Sequence, residues 1–235
     1  METLKFDPVK FDLDTKPLRE VNQFLHGDAS TLNGKAVVIE NPNGAHNVAV
    51  GLKADVDVTI KGHTGYYAAG MNQIAKVTIE GSAGSGVAEN MMSGVVHVKG
   101  FASNAAGATA NGGLLIIDGD AGLRTGIAMK GVDIVVGGSV GSFSAFMAQA
   151  GNFVILGDAG EGLGDSIYEA KLFVRGTVKS LGADCEEKTM SAEDKQILAD
   201  LLKKSGHADV SLDSFKQYGS ARTLYHFHVD NAGAY

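Results

Sequence analysis

Seven glycines, Gly62, Gly81, Gly100, Gly119, Gly138, Gly157 and Gly176, follow one another at intervals of 19 residues with no insertion. A fixed short period of this kind belongs to a solenoid, in which each repeat is one rung that buries its apolar side only by stacking on its neighbours. The period therefore sets the architecture ahead of any local motif.

The residues before each glycine define the rung. Two positions upstream stand Ile60, Ile79, Val98, Ile117, Val136, Ile155 and Val174, and four upstream stand Val58, Val77, Val96, Leu115, Ile134, Phe153 and Leu172. Large apolar residues at alternate positions, many of them β-branched and closed by glycine, predict a short strand with one face in a core. The position just before the glycine runs Lys61, Glu80, Lys99, Asp118. Parallel stacking at roughly 4.8 Å would set these alternating charges against one another. Downstream, the third position reads Gly65, Gly84, Ser103, Gly122, Gly141, Gly160, and the seventh reads Ala69, Ala88, Gly107, Gly126, Ala145, Gly164. A corner repeated in every rung is expected to need glycine or a very small residue, for positive φ and for close backbone approach. A flexible glycine-rich linker would lack the registered aliphatics.

The flanks read as end caps, which an open stack of strands requires. Residues 15–26 are a helix candidate with Thr15 as N-cap, Pro17 in the first turn, and Leu18, Val21 and Leu25 on one face. Residues 35–51 repeat the strand, but Asn41 and Pro42 replace the glycine and the rung is two residues longer. Residues 191–206 form an amphipathic helix, with Ser191 as N-cap, Asp194 three residues on, a stripe of Ile197, Leu198, Leu201 and Leu202, and Gly206 as stop. A strand-like run follows at 223–229. The expected division is thus a cap with a short helix over 1–34, the β-helix over 35–185, and a helix and tail over 186–235 packing on the solenoid or on a partner.

One outward column changes character along the stack. The third residue before each glycine is Thr59, Thr78 and His97 in the early rungs, then Ile116, Val135, Val154 and Phe173. Burying such a side chain is worth roughly 1.5 to 3 kcal/mol, so cover is expected. The helix at 192–204 would supply it from the same chain; the alternative makes these four residues a candidate subunit contact.

Chemistry is sparser than architecture. His226 and His228 share one face of a strand-like run but have no third ligand in sequence. His63 and His97 occupy different rung positions and read as surface. GEGLG (160–164) and GSAGSG (81–86) lack the following helix that a phosphate loop needs, and the repeat accounts for their glycines. Asp120 and Asp158 share a rung position with Ser139 between them, a thin version of the acidic groove of a β-helix polysaccharide lyase. A left-handed hexapeptide acyltransferase would be built from multiples of six residues. The one cysteine, Cys185, leaves no internal disulfide and too few ligands for an iron–sulfur cluster in this chain. With 44% hydrophobic and 20% charged residues and a net charge of -7, the chain is expected to form one elongated soluble domain. The acidic balance argues against a nucleic-acid or anionic-membrane surface. The stretch METLKFDPVK lacks the build of a signal peptide, so a cytoplasmic location is expected.

The repeated G-xx-G-xxx-G, clearest in GDAGLRTG (119–126) and GDAGEGLG (157–164), resembles the GXGXG domain at the C-terminal end of the glutamate synthase large subunit. The same domain recurs as the GXGXG subunit of formylmethanofuran dehydrogenase and related formyltransferase/hydrolase complexes. With residues 11–26 near one end and 218–235 at the other, the chain is most similar to the GXGXG subunits of N-methylglutamate synthases. The resemblance implies an all-β, single-domain, right-handed parallel β-helix of about seven turns with helical caps. It also implies a multi-subunit enzyme that exchanges methylamine and ammonia on glutamate. Its partners would be a glutamine amidotransferase-like subunit and a glutamate synthase-like subunit carrying FMN and an iron–sulfur cluster. No catalytic, cofactor-binding or metal-binding residue of the family maps onto a GXGXG domain, so the resemblance assigns none here and implies a scaffold.

Overall fold

In the computed structural model, which describes residues 8–222, every aliphatic pair preceding a rung glycine lies in a strand with both side chains buried. In chain order the strands are β1 (Val9–Asp12), β2 (Ala36–Glu40), β3 (Asp57–Lys61), β4 (Lys76–Ile79), β5 (Val95–Val98), β6 (Leu114–Ile117), β7 (Lys130–Val136), β8 (Ala150–Ile155) and β9 (Lys171–Val174), then β10 (Cys185–Lys188) and β11 (Lys216–Ser220). β1 to β9 pair in parallel, each with the next. Val58, Val77, Val96, Leu115, Ile134, Phe153 and Leu172 stand in one file, one per rung. The chain is a parallel β-helix of about seven turns. A second file of isolated bridges runs Thr64, Ala83, Ala102, Ala121, Val140, Ala159, Val178, so the rung turns a corner directly after its glycine and pairs again two residues later. The longer first rung keeps this order: Ala36 pairs with Asp57, and the extra residues are absorbed between the strands.

Glycine at the beat serves close approach. Of the seven, only Gly62 has positive φ. A Cβ on Gly81 would sit 2.6 Å from both the carbonyl carbon and oxygen of Gly62, and one on Gly157 would sit 2.6 Å from the carbonyl carbon of Gly138. The amides of Gly100, Gly119, Gly138, Gly157 and Gly176 each donate to the carbonyl of the glycine one rung below.

Positive φ lies elsewhere, and mostly on residues with side chains. In the rung after Gly62 it falls on Tyr67, Ala69 and Met71, at φ 60, 53 and 53, and the same triplet recurs as Ala105, Gly107, Thr109, as Arg124, Gly126, Ala128 and as Phe143, Ala145, Met147. The expected glycine or alanine does take positive φ at the seventh position, from Ala69 to Gly164, but the third position does not, and the fifth and ninth positions take it with side chains as large as Tyr67, Met71, Arg124 and Phe143. A left-handed non-glycine residue costs about 1–2 kcal/mol, and a net hydrogen bond returns about 0.5–1.5 kcal/mol. Each of these residues makes one to a neighbouring rung, alternately above and below: Tyr67 N donates to Ser85 O at 2.9 Å, Ala69 N to Val48 O at 2.9 Å, and Met71 N to Glu89 O at 2.7 Å. The stack holds a conformation that a single rung could not.

Strands close both ends of the sheet. β1, which carries no clear sequence signal, adds in parallel to β2. At the far end β11 inserts antiparallel between β9 and β10. The run at 223–229 lies outside the described residues. Helix α1 (Leu18–Leu25) buries Val21 and Leu25 in the main core. Its N-cap is Pro17 and not Thr15, because the Thr15 amide and hydroxyl both donate to Asp12 O and close the turn that leaves β1. After a short α2 (Ala29–Leu32), the third helix α3 (Ala192–Lys204) begins at Ser191 with the predicted capping box: Ser191 Oγ accepts from Asp194 N, and Asp194 Oδ2 accepts from Ser191 N. α3 lies on the outer side of the sheet rather than over its end.

Candidate functional site

The faces of a column are its candidate sites, and four can be built from the residues upward. The first is the outer apolar column. Val135, Val154 and Phe173 are fully buried and Ile116 nearly so. The first three form a second core with Leu156, Phe215 and the α3 residues Leu198, Leu201 and Leu202. The cover is thus the chain's own helix. A subunit contact through Val135, Val154 and Phe173 would require α3 to leave first, so the candidate interface at these three residues does not carry over to the folded chain; Ile116 is buried outside that cluster.

An ion pair that sequence reading missed fastens this cover. Lys171 Nζ lies 2.7 Å from Asp194 Oδ1, while Ser191 donates its amide and hydroxyl to Oδ2. Burial would raise the Asp194 pKa, but the hydrogen bonds from Lys171 and Ser191 and the Lys171 charge outweigh it and hold the carboxyl at about 2. Because the folded value is the lower one, the stabilisation is complete above the ordinary carboxylate range and fades as pH falls from about 4 towards 2. Its full size is about 2 kcal/mol. Asp194→Asn should remove this acid-sensitive part of the stability, measured as the difference in urea midpoint between pH 6 and pH 3; an unchanged difference would discount the pair.

The second face is the corner just after each rung glycine. There the polar side chains accept from the backbone of the next rung, the ladder being interrupted at Phe101: His63 Nδ1 from Ser82 N, Ser82 Oγ from Phe101 N, Asp120 Oδ1 from Ser139 N, Ser139 Oγ from Asp158 N, and Asp158 Oδ1 from Thr177 N, at 2.7–3.3 Å. The Thr177 amide, then its hydroxyl, hold the Asp158 carboxyl below its usual range. Asp120, Ser139 and Asp158 thus form a ladder that caps backbone amides. Replacing Asp120 by Ala should cost about 1 kcal/mol, read from thermal unfolding, as the loss of an exposed cap does.

The third face is the outward strand ladder. Lys61 pairs with Glu40 at 3.1 Å and Lys99 with Asp118 at 3.5 Å. His97, read as surface, is half-buried and places Nε2 2.7 Å from Asp118 Oδ1. Cys185 is buried: desolvation, with Glu186 and Asp165 adding to it, pushes its thiol up to about 11, so at neutral pH it is not a thiolate nucleophile. Among the described residues no group of three or more His, Cys, Asp and Glu could hold a metal ion, and His226 and His228 lie outside them. Among the described residues no helix is long and apolar enough to cross a membrane.

The fourth face is the left-handed corner, which carries no signal at the uniform rung positions. Leu123, Phe143 and Met147 are 40–50% exposed. Arg124, Ile127, Phe143 and Phe146 line a groove of about 310 Å³. The rings of Phe143 and Phe146 meet edge to face, with centroids 6.4 Å apart. The alternating backbone causes this. In the rung of Phe143 it turns Ser144 and Ala145 inward and their neighbours on either side outward. Comparing rungs at the fifth position after the glycine, which reads Tyr67, Gly86, Ala105, Arg124, Phe143 and Gly162, could have found it, since large side chains stand there in only some of the rungs. A second, shallower cleft lies between α1 and the first rung and includes Arg19, Asn22, His26 and His46. Its polar groups tie the helix down: Asn22 bonds Asn47 O and Ala49 N, and His26 Nε2 lies 2.6 Å from Val50 O.

No family model matches the chain. Protein GlxC of Rhizobium meliloti (strain 1021) is 59% identical to it over 224 residues, covering 95% of this chain and 98% of that protein.

Proposed function

Since the chain belongs to the family of Protein GlxC, we propose that it is the scaffold subunit of a glutamate-synthase-like complex, closest to an N-methylglutamate synthase. Such a complex converts methylamine and glutamate to N-methylglutamate and ammonia. In this reading the chemistry belongs to two other chains, one resembling a glutamine amidotransferase and one holding FMN and an iron–sulfur cluster in a synthase barrel. This chain keeps their sites at a fixed separation, in the cytoplasm.

The observation that carries the reading is the backbone-to-backbone stack under the G-xx-G-xxx-G repeat. Nine parallel strands at roughly 4.8 Å span about 38 Å, and each rung is bonded to the next along the strand, at the corner and through the left-handed triplet. Bending such a column breaks three files of hydrogen bonds at once, so it suits the task of holding partners in place. Its polar ladders serve its own amides, which is consistent with a supporting role.

Co-expression with the genes that flank it tests the reading. A tagged chain should retain an amidotransferase-like and an FMN-containing protein, and the assembly should form N-methylglutamate only when this chain is present. Retention of hydrolase and transferase subunits instead would move it to a formylmethanofuran-type complex, and turnover by the pure chain would end the scaffold reading.

A further inference from the structure

The exposed left-handed corner has a charge pattern that complements itself. Stacked hydrogen bonds put Arg124, Phe143 and Gly162 in one file, since Arg124 N donates to Ser142 O and Phe143 N to Glu161 O. Arg124 and Leu123 stand one rung below the Phe143 and Phe146 pair, and Glu161 and Gly162 stand one rung above. Arg124 is exposed, and its guanidinium meets no carboxylate among the described residues. Glu161 gives only one oxygen, Oε1, to Lys179, in a pair whose side chains are 57% and 71% exposed, which is worth little in water.

We propose that this face is a two-fold interface between two copies of the chain, running antiparallel, with the Phe143 and Phe146 rung at its centre. A two-fold axis across the columns at that rung inverts the second copy. Aromatic pair then meets aromatic pair, and each Arg124 falls opposite the partner's Gly162, beside the partner's Glu161. Gly162 has no side chain of its own, but the Phe143 ring leans over it, within 2.9 Å of where its Cβ would be, so the guanidinium would reach Glu161 against that ring rather than through open space. Ile127 falls opposite Asp165, whose oxygens are already engaged by Ser166 Oγ and Ala183 N. An axis along the columns would instead place Arg124 against Ile127 and leave the charge unmet. The self-complementarity therefore selects the antiparallel pairing, in which each contact occurs twice. An exposed aromatic patch rimmed by opposite charges is the composition of an association site. This inference goes beyond the scaffold reading and stands or falls separately from it.

Sedimentation of the full chain over a range of micromolar concentrations tests it, with circular dichroism to confirm folding. A monomer–dimer equilibrium is expected. Arg124→Glu and Glu161→Arg should each weaken the dimer roughly tenfold or more, because like charges then face each other twice. The double variant Arg124→Glu with Glu161→Arg should restore it, and Phe143→Asp should abolish it. A wild-type chain that stays monomeric, or a double variant as weak as either single one, would overturn the proposal. So would a groove that binds a second copy only after residues 223–235 are removed, since that would assign it to the chain's own terminal segment.

Discussion

Replacing Gly157 by alanine should cost about 4 kcal/mol or more, a large part of the 5–15 kcal/mol that holds a typical domain together. The added Cβ would lie 2.6 Å from the Gly138 carbonyl carbon, 2.7 Å from its oxygen and 2.5 Å from Ser139 Oγ. The Ser139 hydroxyl could move only by giving up its bond from Asp158 N, and Gly138 is backbone in the rung below, held there by the amide of Gly157 itself, at 2.8 Å. Relief would require the two rungs to part, and the strand pair β7 to β8 with them. Gly206→Ala is the control. It lies past the end of α3 at φ +86, with nothing within 4 Å of a Cβ, so its cost is the left-handed penalty of about 1–2 kcal/mol. Urea denaturation of both variants checks the contrast. Equal losses would mean that the rung glycines are not kept for close packing.

The second large effect is expected at Val154. It is fully buried between the sheet and α3, in a cluster with Val135, Phe173, Leu198 and Leu201. An aspartate there has no cation within that cluster, and burying it unpaired, or protonating it to avoid the charge, should cost about 3–5 kcal/mol. The damage should be local. Hydrogen exchange is expected to rise throughout residues 191–205 and in β7 to β9 while β3 to β5 keep their protection, because the lower rungs make their own contacts. Thr59→Asp, at the same rung position but partly exposed and away from α3, should change stability by no more than about 0.5 kcal/mol. If Val154→Asp left the isolated chain as stable as the parent, α3 would not be the cover of this face, and a partner would again be the better candidate.

Much of this structure was legible because it repeats. The aliphatic pairs from Val58 and Ile60 to Leu172 and Val174 mark one strand per rung, and their spacing sets the register without any pair being ambiguous. The bounds of α3 were legible too, from Ser191 and Asp194 at one end and Gly206 at the other, since caps are made by residues close in sequence. β11 was not: its KQYGS lacks alternation and carries a glycine, and it is a strand because β9 offers an open edge, along which Lys216, Gln217 and Tyr218 pair with Val174, Phe173 and Leu172. The groove at Arg124, Ile127, Phe143 and Phe146 was hidden for a different reason. The repeat is defined by rung positions that are uniform, whereas a surface used by only a few rungs shows as a departure from uniformity.

The column follows from the sequence alone: a period of 19 with paired aliphatics and a glycine can be satisfied only by stacking one rung on the next. What the packed chain then imposed was which backbone each glycine had to admit, which residues took left-handed φ, and that α3 covers its own sheet. Those three outcomes depend on the rung above, the rung below and the docked helix, and local preference at Tyr67, Arg124 or Phe143 points the other way. Intrinsic propensity is a property of one residue and its neighbours in the chain, while an amide held by the next turn of the solenoid acquires its partner only once that turn is in place.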